Sequence, residues 1–197
     1  MGVAGVVLAG GASERMGRPK ALLDFRGLPF VVRILEALEA LDLKPRVVVL
    51  GPDAPRVRPA LATHECVIVE TPDQAGGAIG SLRAALAALQ PLRPSGILAW
   101  PVELPHIRVA TVERLLEEYR RTGASAVVPT FAEGRGNPVI WDRALFAELA
   151  TSEAATVLEA HPAELAAVAV DDPAVIDELR TPEDYERLVR QINRDIY

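Results

Sequence analysis

The feature that most constrains the fold is a series of short β-branched runs separated by longer segments of helical period. The runs are 3–8 (VAGVVL), 46–50 (RVVVL), 66–69 (CVIV), 96–100 (GILAW), 125–129 (SAVVP), 138–141 (PVIW) and 166–170 (AAVAV). Most are apolar throughout rather than alternating, as strands covered on both faces should be. Between them, Phe30, Ile34, Leu35, Leu38 and Leu41 recur at helical spacing behind Pro29, which suits a first turn. Leu82, Ala85, Leu86 and Leu89 follow Ser81 in the same way. Val112, Leu115, Leu116 and Tyr119 follow Thr111, and Gly123 stands where that helix should stop. Thr181-Pro182-Glu183-Asp184 reads as an N-cap, a first-turn proline and early acids ahead of Tyr185, Leu188, Val189 and Ile192. Strands alternating with helices predict an α/β fold, a doubly wound and mostly parallel sheet with helices on both faces. The 197 residues fit one domain, 1–197, with no internal repeat and no low-complexity segment.

Composition narrows the function classes. No apolar run approaches the roughly 18 residues of a membrane-spanning helix. The start, MGVAGVVLAGG, has no basic residue before its apolar run and leads straight into glycines, so it does not read as a secretory signal and a cytoplasmic location is expected. Cys66 is the only cysteine, which excludes a disulfide within the chain, and it is expected to be a buried structural thiol. A net charge of −6 argues against a nucleic-acid partner.

The chemistry concentrates after the first strand, in VVLAGGASERMGRPKALLDFRG, residues 6–27. Glycines leaving the carboxyl end of a strand let backbone approach a ligand closely, at the edge where open α/β sheets bind. The loop lacks G-x-G-x-x-G and lacks G-x-x-x-x-G-K-[ST], because Gly17, Arg18 and Pro19 precede Lys20. What it offers is backbone N–H groups from Ala9 to Ser13 together with Arg15, Arg18 and Lys20. Guanidinium forks and an ammonium suit a triphosphate, with a solvated basic loop as the bland alternative.

Residues 8–23, L-A-G-G-A-S-E-R-M-G-R-P-K-A-L-L, resemble the signature L-[AG]-[AG]-G-x-S-x-R-M-G-x-x-K of nucleotidylyltransferases, in particular those that attach CMP or GMP to molybdenum cofactor. GSLRAAL (80–86), RGNPVIWDRALFAEL (135–149) and DDPAVIDELRTPEDYERL (171–188) are similar to further segments of that family. The resemblance implies a Rossmann-like nucleotidyltransferase fold and a nucleotide site on Leu8, Ala9, Gly10, Gly11, Ser13, Arg15, Lys20 and Ser81. Arg15 and Lys20 would be the catalytic cations, stabilising charge as pyrophosphate leaves. It also implies Mg²⁺ or Mn²⁺, held by a carboxylate at a strand end. Here that position is Glu103, in P-V-E-L-P, where the family has aspartate.

The chain departs from the family at two further places. The aspartate expected before T-P-E-D is Arg180, which cannot ligate a metal, so either Asp177 or Glu178 substitutes, or one protein carboxylate suffices, or the metal site is broken. Thr151, Glu153 and Ala155 replace Asp, Gly and Arg of a turn associated with the acceptor. His161 lies beyond that turn. With no Ser or Cys paired to them, His64, His106 and His161 support no catalytic triad.

The leading reading is transfer of CMP or GMP from CTP or GTP to a phosphorylated small-molecule acceptor, of molybdopterin type, with a molybdoenzyme or its chaperone as protein partner. An isoprenoid or sugar phosphate is the alternative acceptor. Leu8-Ala9-Gly10-Gly11 looks guanylyl-like, and Arg18-Pro19-Lys20 with the tail looks cytidylyl-like. The competing reading is a nucleotide-binding module that kept Arg15 and Lys20 but lost its carboxylate chemistry.

Overall fold

The computed structural model describes residues 2–11, 13–71 and 77–194. In chain order its elements are β1 (Val3–Ala9), β2 (Asp24–Phe25), β3 (Leu28–Pro29), α1 (Phe30–Ala40), β4 (Arg46–Leu50), α2 (Ala54–Leu61), β5 (Val67–Glu70), α3 (Gly77–Leu89) and β6 (Gly96–Pro101). There follow α4 (Val109–Thr122), β7 (Ala126–Phe131), β8 (Gly134–Arg135), β9 (Val139–Asp142), α5 (Phe146–Leu149), α6 (Ala154–Ala160), β10 (Leu165–Ala169) and α7 (Pro182–Arg194). The main sheet runs β10-β7-β9-β6-β1-β4-β5, with β8 paired to β7. β1 is parallel to both β4 and β6, while β9 is antiparallel to both of its neighbours.

Alternation along β1 shows why helices cover both faces. Val3 and Val7 pack with Ile34, Leu35 and Leu38 of α1 and with Val112, Leu115 and Leu116 of α4. Ala4, Val6 and Leu8 pack on the other side with Leu82, Ala85 and Leu89 of α3, Leu149 of α5 and Val157 of α6. Successive side chains of a strand point to opposite faces, so an unbroken apolar run serves two layers. At Gly5 a Cβ would lie 2.9 Å from Leu38 Cδ1, so the glycine lets α1 settle onto the sheet.

Two helix starts differ from the sequence expectation. α3 begins at Gly77 and α4 at Val109, which puts Ser81 and Thr111 inside their helices. Their hydroxyls are used elsewhere: Ser81 Oγ donates back to the Gly77 carbonyl, and Thr111 Oγ1 donates to Asp172 at 2.6 Å. The expected stop at Gly123 is present with φ 63°, a left-handed conformation that glycine adopts without strain. Thr181 caps α7, accepting from the Asp184 N–H, while Asp184 accepts from the Thr181 N–H in return. Cys66 is half-buried rather than buried, and its partial burial pushes the thiol pKa up. Among the described residues no helix is long and apolar enough to cross a membrane.

Candidate active site

Because β1, β4 and β6 are parallel neighbours, their carboxyl ends share one edge of the sheet. From β1 the strand order proceeds to β4 and β5 on one side and to β6 on the other, the switch point where doubly wound folds bind ligands. The loop leaving β1 can sit there only because two residues lack side chains. A Cβ on Gly51, just past β4, would meet the Gly10 carbonyl oxygen at 2.2 Å, and a Cβ on Gly10 would meet Ser81 Oγ at 2.3 Å.

Ser13 closes this loop. Its carbonyl accepts from the N–H groups of Met16 and Gly17 at 3.0 and 3.1 Å, and its Oγ accepts from the Lys20 N–H at 2.8 Å. Gly17 takes φ 68°, so the chain reverses without a side-chain penalty. With its backbone fixed, Lys20 reaches across to β6, and its Nζ stands 3.1 Å from Glu103 Oε1. The two side chains keep 14% and 24% of their surface exposed, enough for either to exchange its partner for a ligand.

The turn that carries Glu103 is held on four sides. Val102 N–H donates to the Leu8 carbonyl at 3.1 Å, and Leu104 N–H donates to the Pro101 carbonyl at 3.2 Å. The buried Trp100 indole donates to the Leu104 carbonyl at 2.9 Å. Leu179 N–H donates to the carbonyl of Glu103 itself at 3.2 Å, so the segment before α7 crosses over this turn. Below that crossing, Asp172 is nearly inaccessible and accepts from Arg108 N–H at 3.0 Å, Thr111 Oγ1 at 2.6 Å and Ala174 N–H at 3.3 Å.

The residues expected to form the nucleotide site divide between two openings. Leu8, Arg15, Lys20 and Glu103 line a cavity of about 470 Å³, together with Arg135, Asn137, Glu178 and Arg180. Ala9, Gly11, Ser13, Lys20 and Glu103 line a narrow crevice beside Gly51 and Asp53. Lys20 and Glu103 stand on the wall shared by the two. Gly10 and Ser81 line neither opening, since Ser81 is buried directly behind Gly10. Arg18 is also turned aside, with its guanidinium 5.3 Å from the centre of the Tyr185 ring.

The two carboxylates considered for the second position face different ways. Glu178 faces the large cavity, where it accepts from Arg180 Nε at 2.7 Å. Asp177 faces away, toward Arg187 and His106. Among the described residues no three His, Cys, Asp or Glu side chains are grouped to hold a metal ion. The carboxylates that line this cavity are Glu103 and Glu178, the two that could hold a cation at this edge. Mg²⁺ commonly takes one or two carboxylates and fills its remaining positions with phosphate oxygens and water, which this donor set fits. His161 does not line this cavity and lies between Glu148 and Glu164; its bonds to Glu148 raise its pKa.

Sequence reasoning did not assign Arg135, Asn137 or Trp100 to the site. RGNPV marked its segment without showing that it faces the β1 loop, and Trp100 reads only as the end of an apolar run.

An open sheet with a phosphate-suited loop at its switch point defines a nucleotide-binding α/β protein of the nucleotidyltransferase type. The match to the MobA-like NTP transferase domain spans residues 5–179, and the chain belongs to that family. A molybdenum cofactor guanylyltransferase of Rhodobacter capsulatus is 28% identical over 191 residues, 95% of this chain and 95% of that protein. Nicotine blue oxidoreductase of Paenarthrobacter nicotinovorans is 34% identical over 149 residues, 73% of this chain and 72% of that one. The manganese complex of Rv0371c from Mycobacterium tuberculosis H37Rv superposes with a TM-score of 0.81 at 28% identity, covering 96% of this chain and 99% of the other. Other relatives are longer: the match spans 66% of a probable molybdenum cofactor guanylyltransferase of Bacillus cytotoxicus and 29% of a bifunctional GlmU of Bifidobacterium animalis.

Proposed function

We propose that this chain is a nucleotidylyltransferase that moves CMP or GMP from CTP or GTP to a phosphorylated small-molecule acceptor, and that residues 1–197 act as one domain in doing so. The observation that carries this reading is the contact of Lys20 Nζ with Glu103 Oε1 at 3.1 Å, where the Ser13-closed loop meets the β6 turn. A cation and an anion that are each only partly buried form a pair that a polyphosphate can open, with Lys20 passing to phosphate and Glu103 becoming free.

In the transfer, an oxygen of the acceptor phosphate attacks the α-phosphorus while the bond from that phosphorus to the β-phosphate oxygen breaks. The electron pair leaves on pyrophosphate. Lys20 and Arg15 stabilise the charge growing on that leaving group, and the rigid turn beneath Glu103 keeps the reacting groups aligned. A divalent cation, Mg²⁺ or Mn²⁺, supplies neutralisation of the phosphate oxygens when bound at Glu103. The manganese complex of the Mycobacterium protein supports a divalent ion for this reading.

The cavity supports an acceptor with one charged end and one apolar part, since Val139, Trp141 and Leu158 line it together with the charged residues. A molybdopterin-type acceptor supplies the charged end through its phosphate and is supported by the names of the guanylyltransferase relatives. On this reading the nucleotide-modified product passes to a molybdoenzyme or its chaperone.

Calorimetric titration with CTP, GTP, ATP and UTP, each with and without Mg²⁺, is the test. Tight binding of one nucleotide only with Mg²⁺, lost in Lys20→Ala, is expected. Equal binding with and without metal would instead favour the non-catalytic module, and no binding of any nucleotide would sink both.

A further inference from the structure

We infer that Arg180 binds the phosphate of the acceptor, so that a phosphomonoester with an apolar ring body is the substrate class; this rests on the transfer reading above. The segment bearing Arg180 is pinned rather than loose. Leu179 is fully buried and bonds to the Glu103 carbonyl, and Arg180 N–H donates to Asp184 at 3.0 Å. The wall opposite is pinned to the same segment, because Asn137 N–H donates to the Val175 carbonyl at 2.8 Å. A guanidinium on a fixed backbone can therefore meet Arg135 across one cavity.

Charge balance assigns the two ends. The cavity wall carries Arg15, Lys20, Arg135 and Arg180 against Glu103 and Glu178, a cationic surplus in a chain whose net charge is −6. Lys20 and Arg15 lie on the β1 loop and serve the triphosphate. Arg180 and Arg135 lie on elements away from that loop and remain for a second anion. The Glu178 carboxylate now on Arg180 belongs to a surface pair with 30% and 59% exposure, and such pairs contribute little. A phosphate offers the same guanidinium a bidentate, doubly charged partner and displaces it. Arg180 has no lone pair for a metal, so this position recognises an anion whatever the cation at Glu103 does.

The experiment uses phenyl phosphate, which has the charge and the flat apolar body that the cavity accepts. Its binding, and separately that of each Mg²⁺–nucleotide, is measured for the whole chain and for Arg180→Ala and Arg180→Lys, with thermal melting to confirm folding. Phenyl phosphate affinity is expected to fall about tenfold or more in Arg180→Ala and less in Arg180→Lys, with nucleotide affinity held within about twofold. Equal phenyl phosphate affinity in the original chain and Arg180→Ala, or none in the original chain, would overturn the inference. So would loss of nucleotide affinity with phenyl phosphate unchanged. If the original chain binds no nucleotide, the transfer reading fails alone, and the phenyl phosphate series still decides whether Arg180 takes a phosphomonoester.

Discussion

Two carboxylates near the carboxyl edge of the sheet have opposite characters. Asp172 is 5% exposed at its side chain, accepts from two backbone N–H groups and a hydroxyl, and has the Arg108 guanidinium 3.5 Å away. Glu103 is 24% exposed and is held by a single ammonium. The partners of Asp172 are mainly backbone N–H groups and a buried hydroxyl, which cannot leave, so it braces the molecule. The partner of Glu103 sits on a flexible four-carbon stem and can leave, so Glu103 can exchange it for another. The number of bonds to a carboxylate matters less here than whether those bonds can be exchanged.

That contrast can be tested to destruction. The largest effect is expected at Glu103→Gln: kcat/KM should fall about 10²–10³-fold, the scale of losing one electrostatic group at a reacting centre, while Tm stays unchanged. A lower Tm with intact turnover would reverse the assignment of the two acids. Asp172→Ala should do the opposite and destabilise the fold by roughly 3 kcal/mol, because it leaves buried donors without an acceptor. For a chain of this size that lowers Tm by about 6–12 °C, readable by calorimetry. No shift would mean that the bonds around Asp172 contribute little.

The smallest effect sharpens the boundary between the regions. His106 is largely buried, its Nε2 stands 3.5 Å from Asp177 Oδ2 without a well-formed hydrogen bond, its Nδ1 has no partner among the described residues, and the Phe25 ring lies 6.4 Å away. Burial lowers its pKa below 6.5, against the opposing pull of Asp177 and Asp172, while Arg187 adds to the lowering. A histidine whose folded pKa is depressed contributes stability above its unfolded pKa and loses it as pH falls through the folded value. Urea unfolding should therefore show stability declining below about pH 6.5, and His106→Gln should flatten that decline. An unchanged slope would show that other groups set the acid limb.

Much of this was legible in the sequence, for local reasons. Seven apolar runs read as strands because burial on both faces removes alternation, and Gly123 read as a stop because only a residue tolerant of positive φ fits there. The β1 loop was legible for the same reason, since Ser13 and Lys20 bond across seven positions. Where tertiary contacts decided the outcome, local reading fell short. Ser81 and Thr111 look like caps, yet one hydroxyl turns back along its helix and the other is claimed by Asp172, which is 61 positions away. α2 escaped notice because Pro55 and Pro59 occupy its short span, although the first-turn proline costs it nothing. The β2–β3 hairpin hides in Arg26-Gly27, both at positive φ. Arg18 has the composition of a phosphate ligand but stacks on Tyr185, and nothing near it in the chain signals that. Glu103 was found through the resemblance of P-V-E-L-P to the family's strand-end turn; its partner 83 positions away was visible only as a separate lysine.

The bond from Leu179 N–H to the Glu103 carbonyl joins the two halves of the cavity through one peptide. A ligand that draws Arg180 inward loads the same crossing that sets the height of Glu103, and a ligand that lifts Glu103 loads Arg180. Whatever free energy one occupant spends on that crossing is returned to, or withheld from, the other in equal measure.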